Sequence, residues 1–263
     1  MKKFKQLFKF NPDKVLNIGV ERERFLVNIL GEPIPETERV LKILPTDGRF
    51  GYELSGCQLE DRVGPVRLYA LVDALRENDR EITKALAELE IYDSFMEVAG
   101  EDMDLSVYND PTGRYQRIVK DMPRETLLAA CRVAGTHVHV GMPDLETALL
   151  VYNKVIPEWE DLCECINNSN GERLRIYQTM APDYIPKPYE SVGAFYEDAL
   201  EKGFDKDPRK NWQLIRITVH GTIEFRMGGS TADYEKIQKF AARCHQLCQD
   251  ALIRLSLQFV RTV

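Results

Sequence analysis

No stretch of this chain carries the roughly 20 consecutive apolar residues that a membrane-spanning helix needs. The basic segment from Met1 to Phe10 also lacks a continuous apolar run, which makes it a poor secretory signal. The expected compartment is therefore the cytoplasm, with no membrane partner. Positive charge is in deficit too: 35 Lys and Arg stand against 42 Asp and Glu, a formal net charge of -7. That balance argues against nucleic acid or an anionic membrane as the main partner. There is no Walker phosphate loop, no dinucleotide-binding fingerprint and no Gly-x-Ser-x-Gly elbow, so the commonest phosphate-loop, Rossmann and serine-hydrolase chemistries have no foothold. Internal repeats and low-complexity tracts are missing as well. The six cysteines are too few for a disulfide framework in 263 residues. Cys163/Cys165 and Cys244/Cys248 read as buried thiols, because Cys-x-Cys is not a usual structural zinc spacing.

What is present is more telling. Three short segments each place two costly side chains two residues apart: Glu21/Glu23, His137/His139 and Glu224/Arg226. On a strand, residues i and i+2 share a face. If the three segments are strands of one sheet, a single face gathers carboxylates, imidazoles and a guanidinium. Desolvating such a face is expensive without a compensating ion or ligand, so it reads as a site for metal ions and an anionic substrate. Any one of these acids alone would be an ordinary solvated residue. Glu53 and Glu60 lie in a second strand-like segment and add to the cluster. Carboxylates are the hard ligands that Mg²⁺ and Mn²⁺ prefer. The His pair leaves a zinc hydrolase as a competing reading. Arg226 suits a phosphoryl group or a substrate carboxylate. His220 and His245 are read as incidental.

Hydrophobic content of 44% allows a full-size core. Extended segments are expected over 15–29, 49–60, 95–99, 133–140, 212–219 and 221–227. Helical periodicity marks 66–89, 114–130 with a break at Pro123, 147–166 with an interruption at Pro157, 192–202 and 234–263, the last on a stripe from Ile237 to Phe259. The proline-containing polar stretch 167–189 is expected to be a functional loop, a candidate lid, in which Arg173 and Arg175 could hold a substrate carboxylate. Strands interspersed with long helices predict an α+β fold: a mostly antiparallel curved sheet with helices packed on one face and an open polar active-site face.

Taken together and in order, the motifs resemble a known family. Gly19 to Val27 looks like the opening Gly-x-Glu-x-Glu strand of the glutamine synthetase-like superfamily, and Glu53 to Glu60 like its second acidic motif. Gly135 to Gly141 resembles its His strand and Gly221 to Arg226 its Glu-x-Arg strand. Within the superfamily the likeness is to the second glutamate–cysteine ligase family of carboxylate–amine ligases. Arg114-Tyr115, Asn168-Ser169 and Trp212 with Ile215-Arg216 add to it, and the amidoligases share a similar skeleton. Three features depart from the pattern: Arg22 stands where a third acid is usual, Gly228-Gly229 stands where an Asp is common, and the loop after Asn170 is short.

The resemblance implies a glutamine synthetase-like catalytic fold, one catalytic domain over residues 1–263 that is short at its C-terminus relative to the family. It implies ATP and Mg²⁺ or Mn²⁺ as cofactors. Glu23, Glu53 and Glu60 would hold one ion. Glu21, His137 and Glu224 would hold the ion that grips the nucleotide phosphates. His139 would lie near ATP, and Arg226 would steady the γ-phosphate during transfer, with Glu224 beside it. A substrate carboxylate, typically the γ-carboxylate of glutamate, would form an acyl phosphate that an amine converts to an amide. Partners would be small molecules, and assembly into a homo-oligomer is expected by analogy. The remaining alternatives are an amidoligase with another substrate, a metal-dependent hydrolase, or a non-catalytic nucleotide-binding relative.

Overall fold

The computed structural model describes residues 1–261, with side chains as far as residue 257. Seven strands form one sheet: Ile18–Val27 (β1), Phe50–Tyr52 (β2), Gln58–Val66 (β3), Tyr92–Ser94 (β4), Gly135–Gly141 (β5), Ile215–Ile217 (β6) and Thr222–Gly229 (β7). Their order is β2-β3-β1-β5-β7-β6, with β4 added beside β1, and every pairing is antiparallel. The helices are Lys2–Lys5 (α1), Thr37–Leu41 (α2), Leu71–Leu89 (α3), Arg114–Val119 (α4), Arg124–Arg132 (α5), Leu145–Val155 (α6), Trp159–Cys165 (α7), Glu172–Met180 (α8), Val192–Lys202 (α9) and Tyr234–Arg261 (α10).

The expected α+β architecture is the observed one. In α3, the buried residues Leu71, Leu75, Asn78, Ile82, Ala85 and Leu86 recur every three or four positions, so one stripe packs on β3. In α10, Ile237, Phe240, Ala241, Cys244, Cys248 and Ala251 do the same against β5, α3 and α6. Each buried Leu, Ile or Phe contributes about 1.5–3 kcal/mol. These helices, with α6 and α7, cover one face of the sheet. Phe259 and Val263, also invoked by the sequence pattern, lie outside the described side chains.

Several boundaries differ from the sequence reading. The extended stretch 49–60 is two strands, separated by the turn around Glu53 to Cys57, and β3 runs on to Val66. Strand β4 precedes Phe95 rather than containing it, because the Phe95 ring turns under the guanidiniums of Arg24 and Arg22. The 167–189 stretch is not a bare loop: α8 occupies its first half and packs against α5. The prolines fall after it, at Pro182, Pro186 and Pro188. Among the described residues no helix is long and apolar enough to cross a membrane, and all six cysteines are free, with only Cys165 exposed.

Candidate active site

Strand register brings the distant acids together. Glu21 lies opposite His137 on β5 and Arg62 on β3, and Glu23 opposite Glu60. His139 pairs with Glu224 across β5 and β7, and Arg216 on β6 faces Glu224 from the other side. Glu53 follows β2, whose Gly51 is the partner of Glu60. The open face of the sheet is the floor of a cavity of about 750 Å³. All eight residues singled out from the sequence line it: Glu21, Glu23, Glu53, Glu60, His137, His139, Glu224 and Arg226. Two glycines make room. A Cβ at Gly51 would lie 2.5 Å from the Arg62 guanidinium, and one at Gly135 would lie 3.0 Å from His137 Nε2.

The acids form two groups, each with ligand atoms within 4.8 Å of one another: Glu23, Glu53 and Glu60, and Glu21, His139 and Glu224. The first is the expected set. In the second, His139 joins the two carboxylates, and His137, expected there, lies as near to both as His139 does. Thr222 Oγ1 hydrogen-bonds His139 Nδ1 at 2.9 Å and leaves Nε2 facing Glu21, 3.5 Å away. Thr218 bonds Thr222 at 2.7 Å and extends the relay. A partner on the second ring nitrogen is what orients a metal-binding imidazole. His137 stands between the groups, with Nδ1 3.6 Å from Glu21 and 3.8 Å from Glu224, and Nε2 3.8 Å from Glu23. His137 Nδ1 and His139 Nε2 are buried without a hydrogen-bond partner. Buried polar atoms are seldom left so. Their open valence, among five carboxylates, fits hard divalent cations.

The electrostatics of the two groups differ. Burial disfavours the charge on Glu21, but His139 and His137 outweigh it and hold the carboxyl well below its usual range. Glu224 is also buried, yet Arg216 and Arg226 pull it far down. Burial opposes protonation of His139 as well, but Glu21 and Glu224 raise it, whereas burial and the Arg226 charge push His137 down to about 4. This group is close to internally neutral. The other is not. Burial raises Glu23 to about 7, with Glu60 adding to the shift against Arg173 and Arg226. Burial and the charge of Glu23 raise Glu53 to about 7. Glu60 is driven well above the carboxylate range by burial and by Glu21 and Glu53. Three crowded carboxylates cannot all ionise without a cation among them.

Sequence reasoning missed several residues. Arg216 grips Glu224 through two nitrogens, Nε to Oε2 at 2.5 Å and Nη2 to Oε1 at 3.3 Å, and also donates to the carbonyls of Arg209 and Asn211. Arg62 pairs with Glu60 on the cavity face. Its signal was present: it stands two residues after Glu60. His220, read as incidental, lines the cavity. Arg173 is not among the residues that line the cavity. It is buried and donates to the carbonyls of Ala134, Met227 and Arg226, while Arg175 is exposed.

No family model matches the chain. It is 25% identical over 272 residues to a glutamate–cysteine ligase of Natronomonas pharaonis, an alignment that covers 92% of this chain and 72% of the relative. With a glutamate–cysteine ligase of Haloferax volcanii it shares 26% identity over 265 residues, 90% of this chain and 71% of the relative. Among solved structures, a bifunctional glutathione synthetase from Pasteurella multocida superposes with a TM-score of 0.60 at 15% identity. That match covers 95% of this chain but 39% of the synthetase, and it supports the fold alone. The likeness first seen in the motifs thus extends along the backbone: over about nine-tenths of its length, this chain is similar to glutamate–cysteine ligases.

Proposed function

We propose that the chain is an ATP-dependent carboxylate–amine ligase, a single catalytic domain over residues 1–263. It would join an amino-acid carboxylate, the γ-carboxylate of glutamate first among candidates, to an amine through an acyl phosphate. One observation carries the reading. Glu23, Glu53 and Glu60 crowd together beside the group of Glu21, His139 and Glu224, in one cavity that also holds Arg226. Two such groups would hold two divalent ions, Mg²⁺ or Mn²⁺. Ions so placed neutralise a triphosphate and ease phosphoryl transfer, which depends mainly on positioning and charge compensation.

The chain's own residues supply the rest. Arg226 is aimed by Glu224 on one side and lies 5.8 Å over the Trp212 ring on the other. Its planar fork is suited to a phosphoryl group in transfer. Arg216 leaves Glu224 firmly ionised, so that carboxylate keeps its charge while it orients Arg226. His137, held largely neutral, can accept or pass a hydrogen bond between the two acid groups without adding charge. Apolar walls from Ile118, Met122 and Trp212 limit water around a reactive acyl group.

The test is direct. The protein is incubated with ATP, Mg²⁺, glutamate and a panel of amines that includes cysteine, and ADP and new amides are followed by mass spectrometry. Amine-dependent ADP formation with a matching amide is the expected result. An absence of ADP under every pairing would overturn the reading.

A further inference from the structure

The face of β1 turned away from the cavity carries a second set of charges. Arg22 and Arg24 alternate with Glu21 and Glu23 and point toward the helices, where they are 0% and 2% exposed. Asp61, alternating with Glu60 on β3, is 0% exposed beside them. Arg22 donates to Asp61 at 2.9 Å and to Asp79 of α3 at 2.8 Å. Arg24 donates to Asp61 at 2.5 Å, to Asp79 at 2.9 Å and to Asp93 of β4 at 2.8 Å. Asn78 adds a bond to Asp61 at 3.1 Å, and the Tyr234 hydroxyl of α10 closes on Asp79 at 2.5 Å.

Stability does not account for this network. Apolar side chains of similar volume often do as well or better than a buried ion pair. Register does account for it. A one-residue slip of a strand sends every side chain to the opposite face, and the usual safeguard is apolar–polar alternation. Residues 21–24 read Glu-Arg-Glu-Arg, charged on both faces, and residues 60–62 read Glu-Asp-Arg. Within these charged residues hydrophobicity is equal in the two registers, and only the flanks, Ile18, Val20 and Leu26 on β1 and Leu59 and Val63 on β3, carry an apolar preference.

The helix side decides the charged segment. Asp61, Asp79 and Asp93 accept guanidiniums, and they would repel the glutamates that a slip delivers. The Phe95 ring sits 4.4 Å from the Arg24 guanidinium and 5.5 Å from that of Arg22, and an aromatic face attracts cations and not carboxylates.

We infer that the buried network of Arg22, Arg24 and Asp61 sets the register of β1 on β3, which makes these three residues positioning residues for Glu21, Glu23 and Glu60. The register claim stands apart from the ligase reading; only its consequence for turnover rests on it.

The experiment therefore reads register without substrate. In a Cys165→Ser background the remaining native thiols are buried. Val20→Cys and Glu21→Cys are introduced separately, one reporter for each face of β1. In the parent, the thiol at position 21 should react with a maleimide at least about tenfold faster than that at position 20, since a protected site reacts only through opening.

The network is then replaced by Arg22→Met/Arg24→Met/Asp61→Leu. Asp79 and Asp93 can stay hydrated, with side chains 22% and 31% exposed. The expected result is a cooperatively melting protein in which the two positions label at comparable rates, with native Cys244 still protected. A contrast unchanged from the parent overturns the inference. Should the triple variant show no cooperative transition, Arg22→Lys/Arg24→Lys decides. It keeps both charges and loses the bidentate forks. A contrast reduced by about threefold or more, the size of a lost charged hydrogen bond, supports the inference, and an unchanged one overturns it.

Discussion

Glu53, half-buried on the turn after β2, has its carboxyl raised to about 7 by burial and by the charge of Glu23. Without a cation, its ionisation opposes folding. Glu53→Gln keeps the shape and removes that charge. We expect the variant, in EDTA at pH 8, to be more stable than the parent by about 1 kcal/mol after allowance for solvent screening. That corresponds to a rise in Tm of about 2–4 °C. Added Mg²⁺ should stabilise the variant less than the parent, and ligase turnover should fall at least about tenfold, the usual conflict between stability and function at such sites. Thermal melts with EDTA and with Mg²⁺ check both parts. A variant less stable than the parent in EDTA would show that Glu53 is held by contacts other than those described here.

Among the elements, α8 shows how a long-range bond can hide in a sequence. Its Arg173 is 3% exposed and spends its donors on three carbonyls, those of Ala134, Arg226 and Met227, which ties the helix to β7 and to the residue that leads into β5. Arg173→Met should cost about 2–4 kcal/mol in urea unfolding, since it leaves buried carbonyls unpaired. Arg175→Met, at an exposed position on the same helix, should change stability by about 0.5 kcal/mol or less. Equal effects from the two would remove Arg173 from this role. The sequence could not display this bond. The prolines at 182, 186 and 188 lent their loop character to a whole segment, and the acceptors are main-chain atoms with no side-chain signature. The strands that carry the cavity were legible for the opposite reason, since charge at every second position inside apolar flanks marks a face. The same rule points to Arg62 after Glu60 and to Arg24 after Arg22. What it cannot supply is the partner on the far side, so Thr222, which sets the direction of His139, emerged only with the fold.

For the molecule as a whole, the shifted groups act in opposite directions along the pH axis. Glu21, Glu224 and Asp79 titrate lower in the fold than in the open chain, Asp79 at about 2 because Arg22 and Arg24 outweigh its burial. Their contribution is present above the unfolded carboxylate range and is lost as pH falls through the folded values. His137, lowered to about 4, likewise favours the fold as pH rises toward its unfolded value. Glu23 and Glu53, both raised to about 7, and Glu60, raised further, work the other way. The fold keeps protons that the open chain releases, so stability declines as pH climbs from the unfolded carboxylate range through about 7. His139, raised, adds to the decline. The metal-free protein should therefore be most stable on the acid side of neutrality and lose about 5 °C in Tm between pH 5.5 and pH 8. Divalent cations favour the ionised carboxylates and displace those protons, so saturating Mg²⁺ should flatten the decline and move the optimum upward. Calorimetric melts across that pH range, with EDTA and with Mg²⁺, give the comparison. Parallel curves would mean that the acid cluster does not bind the ion, and the ligase proposal would lose its physical basis.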